Sequence, residues 1–265
     1  MPMARLLSRV APAHWPCAIR PVIAVSLAVL QGPVVPPPGS GGAVSPFPEN
    51  RPFQVGEHEE YDVHFGAIRV GRGTMDVVSV DTVRDRAAFH VVLAIQGGIP
   101  FFRVDDRYDS WFDTLTFNSL RFRQRIHEGR YRRDQVYDID PQARRYVTRG
   151  DTMASVADPL DDTSVLYYVR TLALPTGQVF RLARYYVAEQ NPIELRVLRR
   201  EQVTVPAGTF RAVVVQPIIK TGGIFAERGH AEVWFSDDST RRLLQMRASV
   251  TFGSLSLNLR PAGAR

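Results

Sequence analysis

Glu60-Tyr-Asp-Val-His-Phe65 is the stretch whose reading decides the fold. In an extended chain, successive Cβ atoms point to opposite faces. Tyr61, Val63 and Phe65 therefore share one side, while Asp62 and His64 share the other. The same period of two recurs outward along the chain at Phe89, Val91, Leu93 and Ile95, then at Leu120, Phe122 and Ile126, then at Val233 and Phe235. Near the C-terminus Leu255, Leu257 and Leu259 alternate with Ser254, Ser256 and Asn258. Roughly a dozen such segments, each with one face for a core and one for water, predict an all-β protein. The expected architecture is a large curved antiparallel sheet, sandwich or barrel-like.

Turn residues separate the strands. His127-Glu-Gly-Arg130 reads as a hairpin loop with Gly129 available for positive φ, and Asp140-Pro141, Pro175-Thr-Gly177 and Pro206-Ala-Gly208 as further turns. One segment breaks the period. Asp158-Pro159 offers an N-cap and a first-turn proline, acidic residues follow, and Arg170 sits near the end. A single short helix around 159–172 is predicted, closing one end of the sheet.

Arg5, Arg9 and Arg20 precede an apolar run from Pro21 to Leu30, and a Pro/Gly-rich tract follows. A basic region followed by about ten apolar residues is the layout of a secretory signal, and it is well short of the roughly 20 residues that span a bilayer. The expected organisation is a signal peptide over 1–31, a disordered Pro/Gly-rich linker over 32–50, and a single β domain over 51–262. Removing the first 45 residues takes away those three arginines and no acid, so the formal charge of +6 falls to +3. Cys17 is the one cysteine and lies within the signal. The mature chain is then expected to use no disulfide, thiol nucleophile or thiolate metal site.

Several ordered segments carry a resemblance. They are Pro52-Phe-Gln-Val-Gly-Glu57, Asp106-Arg-Tyr-Asp-Ser110, Leu120-Arg-Phe122 with Glu128-Gly129, and Asp158-Pro159 with Leu166-Tyr-Tyr-Val-Arg-Thr-Leu172. Val205-Pro-Ala-Gly-Thr-Phe210, Gly222-Gly-Ile-Phe225 and Val233-Trp-Phe-Ser-Asp-Asp238 complete the set. Together they resemble a family of exported bacterial proteins known as domain of unknown function 3108 (DUF3108). The resemblance implies a periplasmic or secreted β protein of unassigned activity, and it supplies no catalytic residues. Its pattern is also similar to periplasmic lipoprotein-carrier folds, by analogy alone.

The search for chemistry yields few candidates. His58, Glu60, Asp62 and His64 share one strand face, so Asp62 and His64 are candidate metal ligands that need a partner from another strand. The alternative is the solvated face of an edge strand. There is no Gly-x-Ser-x-Gly elbow, and no phosphate loop. Adjacent carboxylates such as Asp105/Asp106 and Asp161/Asp162 are poor acid–base pairs. On a strand they diverge, and Asp161/Asp162 are accounted for by the helix N-terminus.

Arg121, Arg123 and Arg125 form a stripe opposite Leu120, Phe122 and Ile126. They are candidate binding residues for an anionic headgroup, or else an outer face paired to residues such as Glu128 and Asp134. Arg107 and Trp111 lie on one face with Asp105 and Asp109, either as a binding site or as an ion-pair ladder. Two Gly-Gly-Ile loops, at 97–102 and 222–225, carry aromatics that include Phe225.

The sequence favours a non-enzymatic envelope protein that binds or carries an apolar or amphipathic ligand. A structural or assembly factor is the second reading, and a hydrolase with a dispersed site the third. No cofactor is expected. Export argues against nucleic acid as a partner and leaves lipids or other amphiphiles, envelope proteins, and peripheral membrane contact.

Overall fold

The structure, a computed structural model, describes residues 51–219, 231–250 and 253–263. The expected signal and linker, and the loop carrying Phe225, lie outside these residues. Eight strands run from the first half of the described chain: β1 (His58–Phe65), β2 (Ile68–Val83), β3 (Arg86–Ile99), β4 (Phe102–Asp113), β5 (Ser119–Glu128), β6 (Tyr131–Asp140), β7 (Arg145–Thr148) and β8 (Asp151–Ala154). After the helix α1 (Ser164–Arg170) come β9 (Val179–Leu182), β10 (Ile193–Val205), β11 (Gly208–Ile218), β12 (Ala231–Ser236), β13 (Leu243–Val250) and β14 (Gly253–Leu259).

All fourteen strands form one antiparallel sheet in the order β8-β7-β6-β5-β4-β3-β2-β1-β14-β13-β12-β11-β10-β9. The first and last strands pair at its centre, with Tyr61 opposite Leu259 and Phe65 opposite Leu255. The edge strands β8 and β9 are consecutive in the chain, so residues 155–178 must run from one edge to the other. Bulges at Val63/His64, Val77/Ser79, Trp111/Phe112, Val197/Arg199 and Trp234/Phe235 add bend and twist. The sheet curls around its apolar face without closing, and α1 lies against that face.

The helix is shorter than its sequence pattern predicts. Pro159 and Leu160 are held by neighbouring chain instead of by helical bonds. Ser119 N–H donates to Pro159 O, Leu160 N–H donates to Arg184 O, and Tyr186 N–H donates to Leu160 O. Asp158 therefore caps nothing, and the capping carboxylate is Asp161, which accepts from Thr163 N and Ser164 N at 2.9 Å each. Five helix residues besides Ser164 are also buried: Val165, Leu166, Tyr167, Val169 and Arg170.

Asp161 also accepts from Ser110 Oγ at 2.6 Å and from Ser119 Oγ at 2.7 Å, joining β4 and β5 to the helix start. Burial pushes its carboxyl up, and the four hydrogen bonds oppose that. Asp161→Ala would strand these donors in a dry site. It is expected to cost about 2 kcal/mol, to be read as a lower chemical-denaturation midpoint, with Asp161→Asn in between.

The N-terminal segment is bound into this core. Phe53 meets Tyr167 edge-on at 4.9 Å between centroids, Phe89 at 5.4 Å and Phe117 at 5.9 Å. Arg170 is buried above these rings, 5.3 Å from the Phe53 centroid and 5.5 Å from that of Tyr167. Its guanidinium donates to both Glu57 carboxylate oxygens at 2.5 and 3.0 Å, to Pro52 O at 2.7 Å and to Thr240 O at 3.0 Å. Segments far apart in the chain meet at this one side chain.

Candidate functional site

Where the strands turn their apolar face toward α1, the packing is incomplete. A cavity of about 210 Å³ remains, walled by Val63 of β1, Val70 of β2, Leu93 and Ile95 of β3, Ile126 of β5, Met246 of β13, Leu255 and Leu257 of β14, and Leu166 of the helix. Each of these strand residues except Val70 stands on the inward parity of its strand, and Val70 is the extra residue of the bulge opposite β1, beside inward Gly71. Gly71 and Gly97 sit in the same wall, where β2 and β3 approach so closely that a Cβ at Gly71 would lie 2.3 Å from Gln96 O.

Polar groups gather at one side of this cavity. Asp106 and Tyr108 of β4, Gln124 of β5, Arg133 of β6, and Asp162, Thr163 and Tyr185 all line it. Asp162 accepts from Tyr185 OH at 2.7 Å and from Gln124 Nε2 at 3.2 Å. Burial pushes its carboxyl up to about 6 against the Tyr185 bond, and the charge of Asp161 adds to the rise. Asp106 accepts from His127 N at 2.9 Å. Arg133 donates to Gln135 Oε1 at 2.8 Å and to Tyr137 OH. Glu128, fully buried, interacts with Asp106, and neither of its oxygens receives an N–H or O–H from the protein. Burial first, then the Asp106 charge, raises the Glu128 carboxyl to about 8. Two carboxylates so placed do not both ionise near neutrality. One proton held between them, with Glu128 donating to Asp106, satisfies both.

The residues singled out in the sequence stand elsewhere. Arg121, Arg123 and Arg125 are on the outer face, in cross-strand ion pairs. Arg121 reaches Asp138 at 2.8 Å, Arg123 grips Asp134 at 2.9 and 2.7 Å, and Arg125 lies 3.5 Å from Asp109. Arg107 chelates Asp109 at 2.9 and 2.7 Å. His90 Nε2 lies 3.0 Å from the same carboxylate. Burial alone would push Asp109 up, but the bonds from His90 and Arg107 outweigh it and hold the carboxyl well below its ordinary value. Trp111 stacks on His90 at 4.2 Å and donates to Asp81 Oδ2 at 2.8 Å. None of these five lines the cavity.

Asp62 and His64 are likewise outward. Asp62 lies 2.7 Å from Arg69 and 3.5 Å from Arg260, and His64 Nδ1 lies 3.1 Å from Asn258 Nδ2. The bulge after Val63 shifts the register between them. Among the described residues no three His, Cys, Asp or Glu side chains converge as metal ligands would.

The family model for DUF3108, described as a protein of unknown function, matches residues 60–260. The chain belongs to the DUF3108 family. No curated protein matches it. Among solved structures, a β-barrel-like protein of domain of unknown function DUF1849 from Brucella abortus aligns at a TM-score of 0.52 and 9% identity, covering 77% of this chain and 95% of its own. That likeness shows a shared fold only. A candidate lipoprotein from Parabacteroides distasonis (11% identity, 82% and 97% covered) and the hypothetical protein CT021 from Chlamydia trachomatis (7%, 80% and 93%) each give a TM-score of 0.35, too low to bear on the fold. No helix among the described residues is long and apolar enough to cross a membrane.

In this DUF3108 chain, the buried carboxylates Asp106 and Glu128, which sequence reading missed, did leave a signal. Leu120, Phe122, Gln124, Ile126 and Glu128 continue one parity, so the period that buries Phe122 also buries Glu128. The hairpin turn is therefore Gly129-Arg130, and Glu128 ends β5 facing inward instead of pairing with the arginine stripe. Asp106 follows from Val104 and Tyr108 in the same way.

Proposed function

We propose that this chain is an exported, non-enzymatic envelope protein that carries an apolar or amphipathic ligand inside its curled sheet. The apolar cavity between β1–β5, β13, β14 and α1 carries this reading. Its volume exceeds the roughly 150 Å³ at which an apolar void accepts a benzene-sized guest. The basic and apolar N-terminal residues support export. The buried serines nearest an acid, Ser110 and Ser119, donate to Asp161, and no histidine joins them.

Native mass spectrometry of the mature protein taken from its own envelope, followed by lipid extraction, tests the proposal. A stoichiometric amphiphile is expected, and Leu93→Trp, which fills the cavity at about 1–3 kcal/mol of overpacking, should abolish its retention. A protein that arrives empty and takes up no apolar fluorescent dye sinks the carrier reading.

One observation favours a second reading, a structural or assembly factor working through protein contacts. Phe101, between β3 and β4, projects fully into solvent beside exposed Ile99, and the sheet keeps two open edges. Phe101→Ser that leaves ligand retention intact and abolishes a cross-link to an envelope partner would favour that reading.

A further inference from the structure

We infer that the polar side of the cavity is a headgroup site for a cationic, amine-bearing amphiphile. The inference rests on the carrier reading and gives the class of its ligand.

Asp106, Asp162 and Tyr108 line this side of the cavity, and buried Glu128 stands beside Asp106 as the partner that shares its proton. Arg133 is the one cation among the described residues of the lining, and it donates to Gln135 and Tyr137. With a single proton shared by Asp106 and Glu128, three carboxyls and one guanidinium leave an excess of negative charge. A cation entering the cavity restores the balance, and a carboxylate headgroup adds a fourth acid.

Thr163 is 1% exposed and lines the cavity, yet its Oγ1 has no hydrogen-bond partner. Buried polar atoms left in this state are uncommon and point to a group still to arrive. The Thr163 oxygen can accept a hydrogen bond from the ligand, and a primary ammonium has three to give. The aliphatic wall formed by Leu93, Ile95, Leu255 and Leu257 receives the hydrocarbon.

The test compares octylamine, octanol and octanoate by titration calorimetry on the purified chain. These three share a tail and differ only at the head. Octylamine is expected to bind at least about tenfold more tightly than octanol, and octanoate more weakly than either. Asp162→Asn and Asp106→Asn, which each remove a negative charge from the cavity wall, should each reduce octylamine affinity by about tenfold while leaving octanol unchanged. Thr163→Val gives a milder, near-isosteric check. The comparison of the three ligands needs no variant, so a misfolded variant does not leave it open. Octanoate binding as tightly as octylamine, or amine preference surviving both acid substitutions, would overturn the headgroup assignment and leave the carrier intact. Uptake of none of the three would overturn both.

Discussion

Arg170→Ala is expected to destabilise the protein by about 3–5 kcal/mol, more than any other single substitution considered above. The guanidinium is buried and joins three remote pieces: Glu57 and Pro52 before the sheet, the helix itself, and Thr240 between β12 and β13. Removing it leaves the Glu57 carboxylate without its partner in the interior, together with two carbonyls. It also removes the cation from above the Phe53 and Tyr167 rings. Much of the cost is the penalty of the abandoned charge, so the double variant Glu57→Gln/Arg170→Met should recover a substantial part of it. Urea unfolding followed by tryptophan fluorescence reads both. Additive losses in the double variant would show that Glu57 and Arg170 act independently.

Stability is expected to decline on the alkaline side between about pH 5 and pH 9, by on the order of 3 kcal/mol. Glu128 titrates at about 8 in the folded chain, well above its unfolded value, and Asp162 at about 6. Through that window the folded protein binds more protons than the unfolded one, so raising the pH favours unfolding. Below the unfolded values both states are protonated and these groups contribute nothing to the slope. The acid limb belongs to other residues. Asp109, Asp113 and Asp134 are held below their ordinary values, so their contribution is lost only as pH falls through that lower range. Glu128→Gln keeps a donor beside Asp106 and removes the titration. It should flatten the alkaline limb and leave the acid limb in place. Thermal melts across pH would check this, and an unchanged alkaline slope in the variant would assign that limb elsewhere.

The period of two made most of the sheet legible from sequence, because each inward parity is written in large aliphatic and aromatic side chains. Tyr61, Phe89, Phe122 and Leu257 are buried as their alternation requires. The strand order was not legible, since no local pattern says that Phe65 pairs with Leu255. The helix was overextended because Asp158-Pro159 is a good helix opening in isolation, and tertiary hydrogen bonds to Ser119 and Arg184 override it. The outer-face reading of Arg121, Arg123 and Arg125, with Asp134 as a partner, was legible from the alternation, but the other partners, Asp138 and Asp109, depend on strand register that spacing does not give. Asp106 and Glu128 occupy parities already assigned to the core. An acid at such a position reads locally as a surface residue, and only the burial of its neighbours shows otherwise.

The pairing of the first strand with the last has a consequence for how the chain is made. Until residues 253–259 have been synthesised, β1 and β13 each present an unpaired edge at what will become the middle of the sheet. Exposed edges invite pairing with other chains, and contacts between residues so far apart in sequence form slowly. A nascent chain of this fold therefore stays unfinished through nearly its whole length and completes itself only at the end. Such a polypeptide remains open along the middle of its sheet until that pairing forms.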